Sequence, residues 1–136
     1  THALTITQAI THLPEKKPHV VAGQIHDAED DVVMIRLEGR RLFVECGGKD
    51  VGALDEAYAL GAFFTVRLEA GGGKIRIFYN DLAAPKATVE KKAEGCYFKA
   101  GCYVQSNPKK GDAPDAFGRV VIRALALSRD SPAGTR

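Results

Sequence analysis

One stretch in the second half of the chain alternates polar and apolar side chains in a pattern that suits ligand chemistry. Residues 97–105 read Tyr-Phe-Lys-Ala-Gly-Cys-Tyr-Val-Gln. Alternate side chains of a strand point to opposite faces, so one face carries Tyr97, Lys99, Gly101, Tyr103 and Gln105. The even positions, Phe98 to Val104, form an ordinary buried face. Aromatic rings with polar tips suit a sugar, and a lysine suits a carboxylate or phosphate. The alternative is a solvated outer face with amphipathic tyrosines.

A second polar pair lies earlier in the chain. Gln24 and His26 flank Ile25 within an apolar run. If this run is a strand, the two polar side chains share a face about 6.5 Å apart, and Ile25 turns to the core. An amide and an imidazole that project together can bind a carboxylate and exchange a proton. The other three histidines of the chain are interpreted as structural.

Length and composition exclude several classes of protein. The chain has 136 residues and a mass of 14.6 kDa, which predicts one domain. Its net charge is +2 and its pI about 8.4, so no nucleic-acid partner is expected. No apolar stretch approaches the roughly 18 residues of a membrane-spanning helix, so no membrane partner is expected. Neither metal-ligand spacing nor a phosphate-binding loop occurs, so no metal and no other cofactor are predicted.

Short β-branched and aromatic runs recur along the chain, separated by turn residues. They predict eight strands, at residues 5–10, 20–26, 32–37, 41–46, 63–69, 74–79, 97–105 and 119–127. Helix candidates are the short stretch 54–60 and residues 125–129, for which continuation of the last strand is an equal alternative. Strands and helices do not alternate along the chain, so a parallel sheet is not expected. The pattern predicts an all-β fold, an antiparallel β-sandwich of the jelly-roll type.

Both polar segments resemble motifs of a known family. Residues 24–26 are similar to the Q-(I/V)-H motif, and residues 97–105 to the Y-F-K-A-G-x-Y-x-Q motif, of the polysaccharide lyase family 7 alginate lyases. The resemblance extends through residues 13–15, 17–20, 73–75 and 79–80. It identifies residues 1–128 as an alginate-lyase-like jelly-roll domain and leaves residues 129–136 as a tail. It also implies a secreted protein.

The resemblance implies a concave sheet that binds an anionic polysaccharide, alginate. By motif position, Tyr103 resembles the catalytic tyrosine, His26 the base or its partner, and Gln24 the group that neutralises the substrate carboxylate. Lys99 and Gln105 resemble contacts to substrate subsites. The implied reaction is β-elimination at the 4-O-glycosidic bond, which leaves 4,5-unsaturated uronate ends. The isoleucine between the glutamine and the histidine implies action on guluronate-containing blocks.

Two features differ from the family pattern. The third family motif, R-(S/T)-E-L-R, supplies an arginine and does not occur in these 136 residues. Residues 1–10 resemble a strand from the middle of the family domain, so the hypothesis is that a separate N-terminal chain or segment completes it. Tyr97 begins the long motif, but it lies about 20 Å from Tyr103 along a continuous strand, and no catalytic role is assigned to it.

Two other functions remain open from the sequence. The absent arginine motif favours a non-catalytic carbohydrate-binding jelly roll. A lyase for another polyuronate, such as glucuronan, fits the same motifs, because they describe the chemistry at C5 and not the sugar epimer.

Overall fold

The computed structural model describes residues 1–92, 95–105, 109 and 113–129, which form an all-β fold. The described strands are β1 (His2–His12), β2 (His19–His26), β3 (Asp31–Glu38), β4 (Arg41–Cys46), β5 (Lys49–Asp55), β6 (Phe64–Gly71), β7 (Lys74–Tyr79), β8 (Ala87–Glu90), β9 (Tyr97–Lys99), β10 (Tyr103–Val104) and β11 (Arg119–Arg129). The predicted all-β class is therefore confirmed.

Neither helix candidate forms a helix. Residues 54–60 begin in the last two residues of β5 and continue as a turn, while residues 125–129 lie in β11, as the strand alternative predicted. No helix in the described residues is long and apolar enough to cross a membrane. Because β11 continues through Arg129, only residues 130–136 of the expected tail remain, and these lie outside the described residues.

The strands form two antiparallel sheets packed face to face. The first sheet has the order β11-β1-β6-β7-β8, and the second has the order β10-β2-β3-β4-β5, with β9 also paired to β2. Apolar side chains from the inner faces of both sheets form one core, in which Ile6, Ile35 and Leu68 are fully buried. This is the sandwich that the sequence predicts, and β9 and β10 both lie along β2 at one edge of its second sheet.

Two strands are missed by the sequence prediction, and one predicted strand is divided. β5 and β8 are edge strands in which every residue except Leu54 is half-buried or exposed, so neither shows the apolar pattern of a buried strand. The predicted strand 97–105 is two strands, β9 and β10, which pair with successive parts of β2. Residues 100–102 connect them outside the ladder.

A β-bulge in β2 determines the direction of the first motif. Three steps along β2, from Val21 to Gln24, match only two steps along β3, so β2 contains one extra residue. Val20 and Ala22 are buried in the core. Uninterrupted alternation would turn Gln24 and His26 to that same side. The bulge instead places both on the outer face and the isoleucine between them in the core.

Gln8 in β1 supports this bulge from the opposite sheet. Its side chain is fully buried, and its Nε2 donates a hydrogen bond to the carbonyl oxygen of Ala22, 2.5 Å away. A bulge interrupts ladder pairing, and a buried carbonyl without a donor costs about 1–3 kcal/mol. The adjacent Gly23 has a φ of +142°, a conformation that other residues rarely adopt. The bulge thus depends on one buried amide and one glycine.

One side of the sandwich is open. The β11 side chains Ile122, Leu125 and Leu127 are 40%, 53% and 69% exposed. The two leucines line a cleft of about 930 Å³ together with Phe98 and Ala100 of the opposite sheet. The cleft lies between β11 and β9, whose outer edges pair with no other strand of the described residues. Contiguous exposed apolar surface of this kind marks an interaction site.

We expect Gln8→Leu to lower the free energy of unfolding by about 2–3 kcal/mol, because the Ala22 carbonyl oxygen loses its buried donor. Urea denaturation followed by circular dichroism measures this change. The matched control is Thr7→Val in the same strand, which removes the 2.8 Å hydroxyl contact with Thr65 and should cost about 1 kcal/mol. Equal losses for the two variants would contradict the role given to Gln8.

Candidate active site

The two motifs meet on the outer face of the second sheet. Between β2 and β9, Gln24 pairs with Lys99 and His26 with Tyr97. Tyr103 pairs with β2 nearer its start. Directly paired residues of antiparallel strands share a face, so these side chains lie on one surface. We call it the polar face and define it by Gln24, His26, Tyr97, Lys99 and Tyr103.

Lys99 lies between the two tyrosines of the long motif. Its Nζ is 5.8 Å from the ring centroid of Tyr97 and 5.7 Å from that of Tyr103, which is within cation–π range. A Cβ atom at Gly101 would lie 3.6 Å from Cε2 and 3.7 Å from Oη of Tyr103. The Tyr103 ring therefore lies over the glycine, and the odd positions Tyr97, Lys99, Gly101 and Tyr103 share a face as predicted.

The even positions of the motif follow the prediction except at its end. Phe98, Ala100 and Cys102 pack against the core. Val104 was expected to be buried too, but it is 37% exposed because it ends the short edge strand β10. Gln105 follows directly, and its backbone N–H donates to the His19 carbonyl oxygen at 3.4 Å. Gln105 thus lies at the margin of the polar face, beyond Tyr103.

Tyr97 belongs to this site, although it received no role from the sequence. Its Oη is 3.3 Å from Nδ1 of His26, and the two rings are 5.5 Å apart with an interplanar angle of 36°. The sequence predicted a separation of about 20 Å between Tyr97 and Tyr103 because it treated residues 97–105 as one extended strand. The break at residues 100–102 invalidates that assumption. Antiparallel pairing of the two motifs, with Gln24 opposite Lys99, would have placed Tyr97 opposite His26.

The turn that follows β2 holds the imidazole of His26. Nδ1 of His26 is 2.6 Å from the backbone oxygen of Asp27. The Asp27 carboxylate accepts hydrogen bonds from the backbone N–H groups of Glu29 and Asp30, at 2.8 and 2.7 Å. Because these bonds favour the ionised form, they lower the pKa of the Asp27 carboxyl. The acidic run therefore orders the turn, and in the described ranges no His, Cys, Asp and Glu side chains group as a metal site.

Gln24 differs from the other buried glutamine. Gln8 in the core and Gln24 on the outer face are the two buried polar side chains among the described residues, with 0% and 6% exposure. Gln8 has a hydrogen-bond partner, whereas the Gln24 carboxamide has none among the described residues. Its cross-strand neighbour is Lys99. An amide donor without a protein partner, next to an ammonium group, suits a carboxylate ligand.

Arg36 lies on the same face, on the next strand. Its Nη2 is 2.8 Å from Oε2 of Glu38, its Nη1 is 3.1 Å from Oε1 of Glu45, and the side chain is 14% exposed. Two carboxylates therefore compensate the charge of this guanidinium. Arg36 does not replace the arginine that the third family motif would supply.

Comparison with known proteins identifies the family. A sequence model described as alginate lyase matches residues 1–129. The solved alginate lyase AlgAT5 of polysaccharide lyase family 7 is 54% identical, with a TM-score of 0.90 over 93% of this chain. The alginate lyase from Corynebacterium sp. is 35% identical, with a TM-score of 0.87 over 93%. No curated protein matches. The chain therefore belongs to the polysaccharide lyase family 7 alginate lyases, as the motif resemblance predicted.

The match covers only part of these relatives. The chain spans 58% of the AlgAT5 structure and 57% of the Corynebacterium structure. Both relatives therefore contain further polypeptide beyond the region that superposes on this chain.

We expect Gln24→Leu to maintain the free energy of unfolding or raise it by about 1 kcal/mol, because it removes a buried amide that has no partner. Urea denaturation measures the free energy of unfolding of this variant and of Gln8→Leu. The Gln8→Leu variant is the matched comparison and should be destabilised. Binding of a uronate oligosaccharide, measured by calorimetry, should weaken about tenfold or more through loss of a hydrogen bond to a carboxylate. Equal destabilisation by the two substitutions would show that Gln24 is structural.

Proposed function

We propose that the protein is a polysaccharide lyase that cleaves the 4-O-glycosidic bond of alginate by β-elimination. The observation that carries this proposal is the polar face, where Gln24, His26, Lys99 and Tyr103 lie together on one side of the sheet. Membership of the family supports it, as do the two solved relatives, which are described as alginate lyases. An open sheet face also suits a long polymer, because the chain can bind across it at any point.

The proposed reaction removes the C5 proton of a uronate, which is weakly acidic because of the adjacent carboxylate. The Gln24 carboxamide donates a hydrogen bond to that carboxylate and stabilises the enolate-like intermediate. Lys99 contacts the anionic sugar in a neighbouring subsite. His26 or Tyr103 takes the C5 proton, and Tyr103 donates a proton to the departing O4. The C5–H and C4–O bonds break and a C4–C5 double bond forms. No water is consumed.

The proposed preference is for guluronate-containing blocks. Its basis is the isoleucine of the first motif, but Ile25 is 1% exposed and packs in the core. Ile25 therefore acts on substrate choice only through the orientation of Gln24 and His26. We also propose an extracellular location, because a polymeric substrate is too large to enter a cell intact.

We further propose that polypeptide beyond these 136 residues completes the domain, either as a preceding segment or as a separate chain. The cleft between β9 and β11 exposes leucines that a further strand would bury. Arg36, which pairs with Val21 as Tyr103 does from the other side of β2, is compensated by two carboxylates. The arginine that assists Gln24 in neutralising the substrate carboxylate is therefore assigned to the added polypeptide.

Intact-mass measurement of the native protein tests this completion. We expect either a mass above 14.6 kDa or a second chain that co-purifies. Substituting arginines of that added polypeptide one by one should identify one whose loss lowers kcat by about a hundredfold or more. A native chain of 14.6 kDa that turns over substrate without a partner would contradict the proposal.

A second candidate function is carbohydrate binding without catalysis. The observation that favours it is the ion pairing of Arg36 with two carboxylates, which leaves this guanidinium without a free charge to stabilise an enolate. The tyrosines and Lys99 would still bind an anionic sugar.

A panel of substrates separates these functions. The full-length protein is incubated with polyguluronate, polymannuronate and polyglucuronate, and the ultraviolet absorbance of the unsaturated product is followed. We expect the fastest rise with polyguluronate. Binding without absorbance would favour the carbohydrate-binding module, and a rise with polyglucuronate alone would favour a glucuronan lyase.

Within this panel, we expect Tyr103→Phe to lower kcat by at least about a hundredfold, because the proton donor is lost. Polymer binding should change little, since the ring and its contact with Lys99 are retained. The matched control is Tyr79→Phe in β7 of the first sheet, which removes a phenol outside the polar face and should leave kcat unchanged. An active Tyr103→Phe variant would remove Tyr103 from the catalytic role.

A further inference from the structure

The Nδ1 atom of His26 lies near two oxygen atoms. The backbone oxygen of Asp27 is 2.6 Å away, and the phenol oxygen of Tyr97 is 3.3 Å away. A carbonyl oxygen can only accept a hydrogen bond. The short contact with Asp27 therefore requires a proton on Nδ1, and the phenol oxygen acts as a second acceptor of that same N–H.

This arrangement determines which nitrogen can act as a base. A neutral imidazole carries one proton, and the hydrogen bond made by one nitrogen sets the state of the other. With the proton held on Nδ1 by Asp27 and Tyr97, the lone pair of His26 is on Nε2. Nε2 is therefore the atom that can accept a proton from a substrate, and the two oxygens stabilise the imidazolium that results.

Strand pairing and Lys99 hold Tyr97 beside His26. It pairs directly with His26 in the ladder between β9 and β2, and its ring lies 5.8 Å from Nζ of Lys99. The two aromatic rings are 5.5 Å apart, so the tyrosine limits rotation of the imidazole. Tyr97 is 49% exposed, and its replacement removes little buried surface from the core.

We propose that Tyr97 is a positioning residue that, with the Asp27 carbonyl, fixes His26 as the Nδ1–H tautomer and thereby directs Nε2 to the substrate. The catalytic part of this inference depends on the proposed lyase function. The tautomer part does not, because it follows from contacts within the chain. The two parts can therefore fail separately.

The experiment compares Tyr97→Phe and Tyr97→Leu with the unsubstituted full-length protein. Nitrogen-15 NMR of His26, at a pH where the ring is neutral, reports the tautomer directly. We expect a predominant Nδ1–H form that decreases in Tyr97→Phe, which loses the phenol acceptor, and decreases further in Tyr97→Leu, which also loses the ring. On polyguluronate, kcat should fall about tenfold for Tyr97→Phe with KM unchanged. Tyr79→Phe serves as the control and should alter neither quantity.

The proposal would be overturned by a predominant Nε2–H tautomer in the unsubstituted protein, or by a Tyr97→Phe variant with the original tautomer ratio and kcat. A loss of kcat with no change in tautomer would also overturn it, since Tyr97 would then act on the substrate and not through His26. If the tautomer changes as expected but no unsaturated product forms from any polyuronate, the positioning role is supported and the proposed lyase function fails.

Discussion

The bulge at residues 22–23 of β2 changes the side-chain alternation within one strand. The first half of the strand packs Val20 and Ala22 into the core, and the second half presents Gln24 and His26 outward. A regular strand would bury an amide and an imidazole among apolar side chains without partners, which is unfavourable. The extra residue turns the polar side chains of the first motif outward. They therefore lie on the same face as the polar side chains of the long motif, which pairs with β2.

The two buried glutamines show how the core supports this surface. Gln8 extends from the first sheet across the interior and bonds to the Ala22 carbonyl oxygen, so a hydrogen bond within the core holds the bulge. Gln24 lies just beyond the bulge and makes no such bond among the described residues. The same side-chain type is therefore buried at two neighbouring places, and what distinguishes the two is the hydrogen bond that Gln8 makes within the core.

The sequence predicted most of the fold because alternation and turn residues mark the strands that bury a full apolar face, such as β3 and β7. It could not indicate β5 or β8, which are edge strands with little buried surface. The sequence did not predict the bulge either. Residues 20–23 are all apolar or glycine, so they show no alternation that would indicate which side chains face the core. The sequence did single out Gln24, His26, Lys99 and Tyr103, because polar residues within apolar strands stand out, and strand pairing places them on one face. The contact of Tyr97 with His26 required knowledge of that pairing.

The position of β9 and β10 connects the polar face with the open side of the sandwich. Both strands lie at the edge of the second sheet, and β9 also borders the cleft lined by Leu125 and Leu127 of β11. A strand added at this edge would bury the exposed leucines and would lie directly beside Tyr103. The polypeptide proposed to complete the domain would then act on both surfaces, because a strand in that place has one row of side chains facing each way. Under that proposal, the residues that close the hydrophobic core and those that extend the polar face alternate along the same strand.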